Sequence, residues 1–300
     1  MRIKGIGIDA HSPRLDGSLE VLEHDLTFFQ RVGFDYVEIP VHGVDAILGG
    51  RLHERRVKEV QEIVGKLDLK YTVHSPDPLD LCDVERPDLQ KAVFRSSLEF
   101  AQAIGAGIMV YHGGATNPPN NNEEAGLSVE RLKEVEREAL SELADDAAAL
   151  GVVIGVENVG PRSYSARIAE LVEQVRKINH PNVGITLDFG HAYLTARHLG
   201  YDFLEAIELA APDIVHVHVH DNFGRVVSLP QDAPYIHIAP FGVNDMHLPP
   251  GWGEIPYREV FSRLKDYQGV ALMELKPRYS PYFEEALQET RRLLAECGVE

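Results

Sequence analysis

The sequence predicts an α/β protein folded as one closed (β/α)8 barrel over residues 1–300, and three observations carry that prediction. Eight short, near-continuous apolar runs recur along the chain, and amphipathic segments of helical period separate them. A His or a carboxylate stands at the end of most runs, or in the loop that follows. Strands buried on both faces read as continuous apolar runs rather than alternating ones. Eight strand–helix units with no break in composition argue for a single barrel domain of the TIM type.

The runs cover residues 3–8, 36–39, 69–73, 108–111, 152–156, 183–187, 214–219 and 270–275. In the first, Gly5-x-Gly7-x-x-Ala10 superficially matches a dinucleotide fingerprint, but it lies inside the strand and Pro13 follows where a helix should open. Leu89, Val93, Ser97, Ala101 and Ile104 mark one helix, ending at Gly105. Leu132, Val135, Ala139, Leu143, Ala147 and Leu150 mark another, with Gly151 as its stop. Ser280-Pro281 reads as the start of the last helix, a cap residue with proline behind it. Two long loops follow the fourth and seventh runs, one containing Thr116 to Asn122 and one from Asp221 to about Ile255. Long loops in compact domains serve function or stay irregular, and for the Asn-rich one a surface connection is the plainer reading.

Composition narrows the function. Net charge is −18, from 29 basic and 47 acidic residues, and such a surface repels phosphate backbones and anionic membranes. This counts against a nucleic-acid partner, although bound cations would make a pocket locally positive. Cys82 and Cys297 give no disulfide framework and read as a reducing compartment. The first residues are too polar for a signal peptide, and no apolar stretch is long enough to span a bilayer, so the expectation is cytoplasmic.

A parallel barrel gathers the C-terminal ends of its strands at one mouth. His74, His112, Glu157, Asp188, His191, His218, Asp245, His247 and Glu274 would converge there, and nitrogen and oxygen donors in one pocket make a divalent-metal site. Glu157 and Glu274 stand near the ends of apolar strands, where an acid is costly unless paired or metal-bound. In Asp188-Phe-Gly-His191 the glycine allows a tight turn. Asp245-Met-His247, read as extended, points both side chains one way. His216, His218 and His220 share one strand face, and spacing alone favours His220 as nearest the mouth. His11 and Glu38 follow the first two strands and are placed to face substrate. His24, His42, His53, His180, His198 and His237 read as structural or surface, and Trp252 either covers a sugar face or anchors its loop.

Seven segments together resemble the xylose-isomerase-like barrel superfamily. They are His74-Ser-Pro, His112-Gly, Val156-Glu157-Asn158, Leu187-Asp188-Phe-Gly-His191, His218-Val-His-Asp221, Asp245-Met-His247 with Gly251-Trp-Gly-Glu254, and Met273-Glu274-Leu-Lys-Pro277. They run in order over nearly the whole chain. The superfamily groups sugar-phosphate isomerases and epimerases with endonuclease IV-type enzymes. For the first branch the resemblance implies one divalent ion at Glu157, Asp188, His218 and Glu274, with the two glutamates also handling protons; on this comparison His218 is favoured over His220. For the second it implies three zinc ions on all nine positions. All nine are present here, so ligand count leaves both branches open.

Four of the nine are carboxylates, and their charge balances two divalent ions. A third ion suits a bridging hydroxide and an anionic substrate. The loop from Asp77 to Asp83 is acidic and no basic, aromatic-interleaved loop is evident, which favours small-molecule chemistry. The expectation is a metal-dependent isomerase or epimerase of a sugar, sugar phosphate or keto-polyol. It works by proton transfer through an enediolate, with Glu157 and Glu274 as catalytic residues and one to three Mn²⁺, Co²⁺, Mg²⁺ or Zn²⁺ ions per chain. The alternative is a multinuclear zinc phosphoesterase of the endonuclease IV type, and the third reading is a non-catalytic metal-dependent binding protein. Oligomeric state stays open; an exposed barrel bottom or helix face would serve a homo-oligomer.

Overall fold

Eight parallel strands close into a barrel in the computed structural model, which describes residues 1–114, 127–160, 163–228 and 235–298. The strands are β1 (Gly5–Asp9), β2 (Tyr36–Pro40), β3 (Lys70–His74), β4 (Ile108–His112), β5 (Val153–Glu157), β6 (Val183–Asp188), β7 (Ile214–Val219) and β8 (Val270–Met273). Each pairs with its sequence neighbours, and β1 closes the ring on β8. All eight apolar runs became strands. Every residue of β6 is buried, as expected for a strand covered on both faces.

Helices pack outside the barrel. The principal ones are α1 (Leu19–Val32), α2 (Glu54–Val64), α3 (Pro87–Ala103), α4 (Val129–Leu150), α5 (Ile168–Ile178), α6 (Phe189–Leu199), α7 (Phe203–Ala210), α8 (Tyr257–Arg263) and α9 (Phe283–Glu296). Local chemistry sets their ends. The Ser128 hydroxyl accepts from Arg131 N at 3.2 Å to start α4, and Gly151 stops it with φ +70.

One reading needs correction, and two features add to the rest. Ser280-Pro281 does not start the last helix: both lie in a 3₁₀ stretch, Pro277–Tyr282, and α9 begins at Phe283 without a side-chain cap. A small antiparallel ribbon, Ile47–Leu48 with Arg51–Leu52, was not foreseen; its strands are too short to show a period. The long loop after β7 is anchored in its described part. One Asp221 oxygen accepts from Gly251 N and Gly253 N at 2.9 Å each, and the other from Asn222 N and Ile255 N. The Thr116 to Asn122 loop lies outside the described residues.

Cys82 and Cys297 are free thiols. No helix among the described residues is long and apolar enough to cross a membrane.

Candidate metal centre

Strand register brings the donors to one level. His74, His112, Glu157 and Asp188 are the last residues of β3, β4, β5 and β6. His112 is opposite Glu157 across β4–β5, and Asp188 is opposite His218 across β6–β7. Glu274 follows β8 directly. A mouth cavity of about 310 Å³ opens above them.

All nine predicted donors meet there, in three adjoining groups. In the first, His74 Nε2 and His112 Nε2 each lie 3.4 Å from Glu157 Oε2. In the second, His218 Nδ1 lies 3.2 Å from Glu157 Oε1, 3.2 Å from Glu274 Oε1 and 3.9 Å from Asp188 Oδ2. In the third, Asp245 Oδ2 lies 3.2 Å from His191 Nε2 and 2.7 Å from His247 Nε2, and His220 joins them. Glu157 belongs to two groups, one oxygen to each.

These donors fit divalent ions. Two ligands about 2.1 Å from a tetrahedral ion stand about 3.4 Å apart, close to the spacings in the first two groups. Glu157 Oε2, Asp188 Oδ2 and Asp245 Oδ1 are buried without a hydrogen-bond partner among the described residues. A buried carboxylate oxygen left so calls for a water or a cation, and a cation suits three such oxygens that stand among imidazoles.

Without an ion the site holds protons instead. Burial would raise the Glu157 carboxyl, but His218, His112 and His191 hold it well below its ordinary value. Asp245 is held well below by His247 and His191 in the same way, against its burial. Burial disfavours a charged His74, yet Glu157, Glu38 and Asp77 push its pKa up to about 10. Burial, with Glu157 and Asp188 nearby, raises Glu274 to about 8 against the pull of His218.

The local geometry departs from the sequence reading at two motifs. Asp188-Phe-Gly-His191 is a helix start, not a tight turn: Asp188 caps α6, its carboxylate accepting from His191 N at 2.6 Å. Gly190 is needed for close approach instead, since a Cβ there would stand 2.0 Å from Cε1 of His220. Asp245-Met-His247 is not extended. Asn244 and His247 have φ +60 and +44, and that kink lets the two side chains meet.

Other residues fall in unexpected places. His220 sits 3.0 Å (Nε2) from Asp188 Oδ2, in the third group rather than with Glu157 and Glu274. Glu38 lies within β2 rather than after it; it lines the mouth as expected, and with His216 it also contacts the buried His218. Burial raises the Glu38 carboxyl, but His218 and His216 hold it far below the usual range. Glu38 carried the same signal as Glu157, an acid inside the apolar run of β2. His42, read as structural or surface, lines the mouth together with His11, Asp9 and Lys276. His11 is pushed down to about 4 by burial and by Lys276, so its ring is neutral. Of the acids in the Asp77–Asp83 segment, Asp77 lines the mouth, while Asp80 and Asp83 turn inward to accept from Cys82 N and from Glu85 N and Arg86 N. Trp252 packs against Tyr279 and Tyr282, outside the cavity lining, and anchors its loop.

Comparisons with known proteins agree with this architecture. An uncharacterized protein of Methanocaldococcus jannaschii, MJ1311, is 28% identical over 233 residues, 75% of this chain and 71% of that protein. A D-tagatose 3-epimerase-like protein of known structure has a TM-score of 0.73 at 24% identity, covering 99% of each chain. The IOLI protein, solved with a zinc atom, has a TM-score of 0.67 at 21% identity, covering 99% of this chain and 98% of that one. At these identities the structural likenesses speak for the fold. The model of one family, described as xylose isomerase-like TIM barrel, matches residues 26–297. With the closed eight-stranded barrel, that match makes this chain a member of the xylose isomerase-like TIM barrel family.

Proposed function

We propose that the chain is one catalytic barrel domain that isomerises or epimerises a sugar, sugar phosphate or keto-polyol with a divalent ion. The observation that carries the reading is the meeting of Glu157 Oε1 and Glu274 Oε1 on one imidazole nitrogen, each 3.2 Å from His218 Nδ1. Glu157, Asp188, His218 and Glu274 would hold the ion, and Mn²⁺, Co²⁺, Mg²⁺ and Zn²⁺ all suit such donors. When bound, it supplies Lewis acidity toward a carbonyl oxygen, which acidifies the neighbouring C–H. The chain's own residues move the proton. Glu157 and Glu274 reach the site from strands that are not neighbours, β5 and β8. One carboxylate takes the carbon-bound proton and leaves an enediolate; the other enters the step as the protonated acid and gives its own proton to the opposite face or to the adjacent carbon, so that the two exchange protonation states. Asp188 and His218 hold position. A small polar substrate suits the lining, where Lys276 is the one Lys or Arg among the described residues. The likeness to a D-tagatose 3-epimerase-like protein supports the same class.

The test is proton exchange. Mn²⁺-loaded protein incubated in deuterated water with a panel of ketoses and their phosphates should place deuterium on carbon in at least one. No exchange across the panel defeats the reading.

The three adjoining donor groups favour a second reading, a multinuclear metal phosphoesterase, for which Glu157 would be a donor in two of the groups. Elemental analysis separates the two. Near one ion per chain supports the isomerase, and two or three support the hydrolase.

A further inference from the structure

Glu38 is not among the donors of the proposed ion, yet it touches their central imidazole. Its Oε1 lies 3.1 Å from His218 Nε2, while Glu157 and Glu274 meet the other ring nitrogen, Nδ1. Both residues are fully enclosed, at 1% and 0% exposure. A neutral imidazole has one lone pair and one N–H, on different nitrogens. If Nδ1 offers its lone pair to an ion held with Glu157, Glu274 and Asp188, the hydrogen must sit on Nε2. Glu38 Oε1 is the acceptor within reach at 3.1 Å, and neither it nor His218 Nε2 has a hydrogen-bond partner among the described residues.

Its other oxygen is already engaged. The Thr72 hydroxyl donates to Glu38 Oε2 at 2.8 Å, and His216 Nε2 lies 3.3 Å from the same atom. Thr72 is the register partner of Glu38 across β2–β3, so the contact is built into the sheet. His216 packs edge-on against His218, with ring centroids 5.3 Å apart, and limits its swing. Oε1 is thereby left facing His218.

We propose that Glu38 is a positioning residue: it accepts from His218 Nε2–H and so fixes the tautomer and ring angle that aim Nδ1 at the ion site. A carboxylate behind a metal-binding imidazole also makes the ring a stronger donor. The inference rests on the metal reading above. The competing use of the same atoms, a separate ion held by Glu38, His216 and His218, would require His218 to give up both ring protons.

Two measurements decide it. In Zn²⁺-loaded protein, long-range ¹H–¹⁵N spectra of the imidazoles should show His218 protonated at Nε2 and metal-bound at Nδ1; the reverse assignment overturns the proposal. In Co²⁺ titrations, Glu38→Gln keeps a neutral acceptor and should weaken affinity less than Glu38→Ala, whose loss should fall within about 10- to 100-fold. The visible bands of bound Co²⁺ should shift at unchanged stoichiometry. Unaltered affinity and bands in both variants sink the role of Glu38 alone. Loss of one whole ion per chain in Glu38→Gln makes Glu38 a ligand and also overturns the proposal. A wild-type protein that takes up no Co²⁺ removes the metal reading and this inference with it.

Discussion

Glu157 is the residue on which most of the site depends, because its two oxygens serve two donor groups. Oε1 faces His218 and Oε2 faces His74 and His112. Replacing it by Gln keeps the shape and removes the charge. Glu157→Gln and Glu274→Gln should each abolish carbon–deuterium exchange while the protein still binds metal; exchange retained in either variant ends the two-glutamate scheme. His74 gives a contrasting expectation. It lies outside the second group, so in an isomerase working with one ion His74→Ala should lower kcat/KM by less than about tenfold, roughly 1.4 kcal/mol. A loss of several orders of magnitude would instead point to the multinuclear hydrolase. At this scale, acids were the legible part of the site. An acid in an apolar run, as in Val156-Glu157 or Met273-Glu274, contradicts its surroundings unless something charged waits beside it. Glu38 in Val37-Glu38-Ile39 gave the same contradiction. The depth of each histidine was hidden. Period two puts His216, His218 and His220 on one face but does not say which is level with Glu157, since that depends on strand tilt and stagger.

Elements carried the clearest sequence signal where burial alone decides structure. Continuous apolar runs marked all eight strands because each is covered on both sides. Motifs in the connecting segments were harder, since their shapes depend on what packs behind them. Asp188-Phe-Gly-His191 is the example: one glycine suits a turn and a close contact equally well in sequence, and the His220 ring selects the contact. That ring also makes the segment testable. Gly190→Ala would drive a methyl into His220, so α6 or the ring must shift. Overpacking of this kind costs about 1–3 kcal/mol. Urea denaturation of the variant should show a loss in that range. Unchanged stability would mean that the start of α6 yields freely.

Across the whole molecule, a mouth crowded with acids and imidazoles must be neutralised by something, and protons and metal ions compete for the task. Ligation needs neutral imidazole and ionised carboxylate, so binding an ion expels protons. His74 binds its proton up to about pH 10 in the folded metal-free protein, against an ordinary 6.5. Its contribution to stability is therefore fully present below 6.5 and is lost as pH rises through about 10. Glu274 is raised from 4.5 to about 8, so the unfolded chain ionises it first, and this too lowers metal-free stability as pH rises between those values. The two trends have the same sign between pH 6.5 and 8. Metal affinity runs the other way, since fewer protons remain to be displaced. An ion at about 100 times its Kd adds about 2.7 kcal/mol, or about 4 °C in Tm for a chain of this size. At a fixed Mn²⁺ concentration, the Tm gap between loaded and metal-free protein should widen steadily from pH 6.5 to 8. Differential scanning calorimetry at several pH values measures it directly. A gap that stays flat or narrows would show that the ion displaces no proton from His74 or Glu274, and would place the bound metal elsewhere in the barrel.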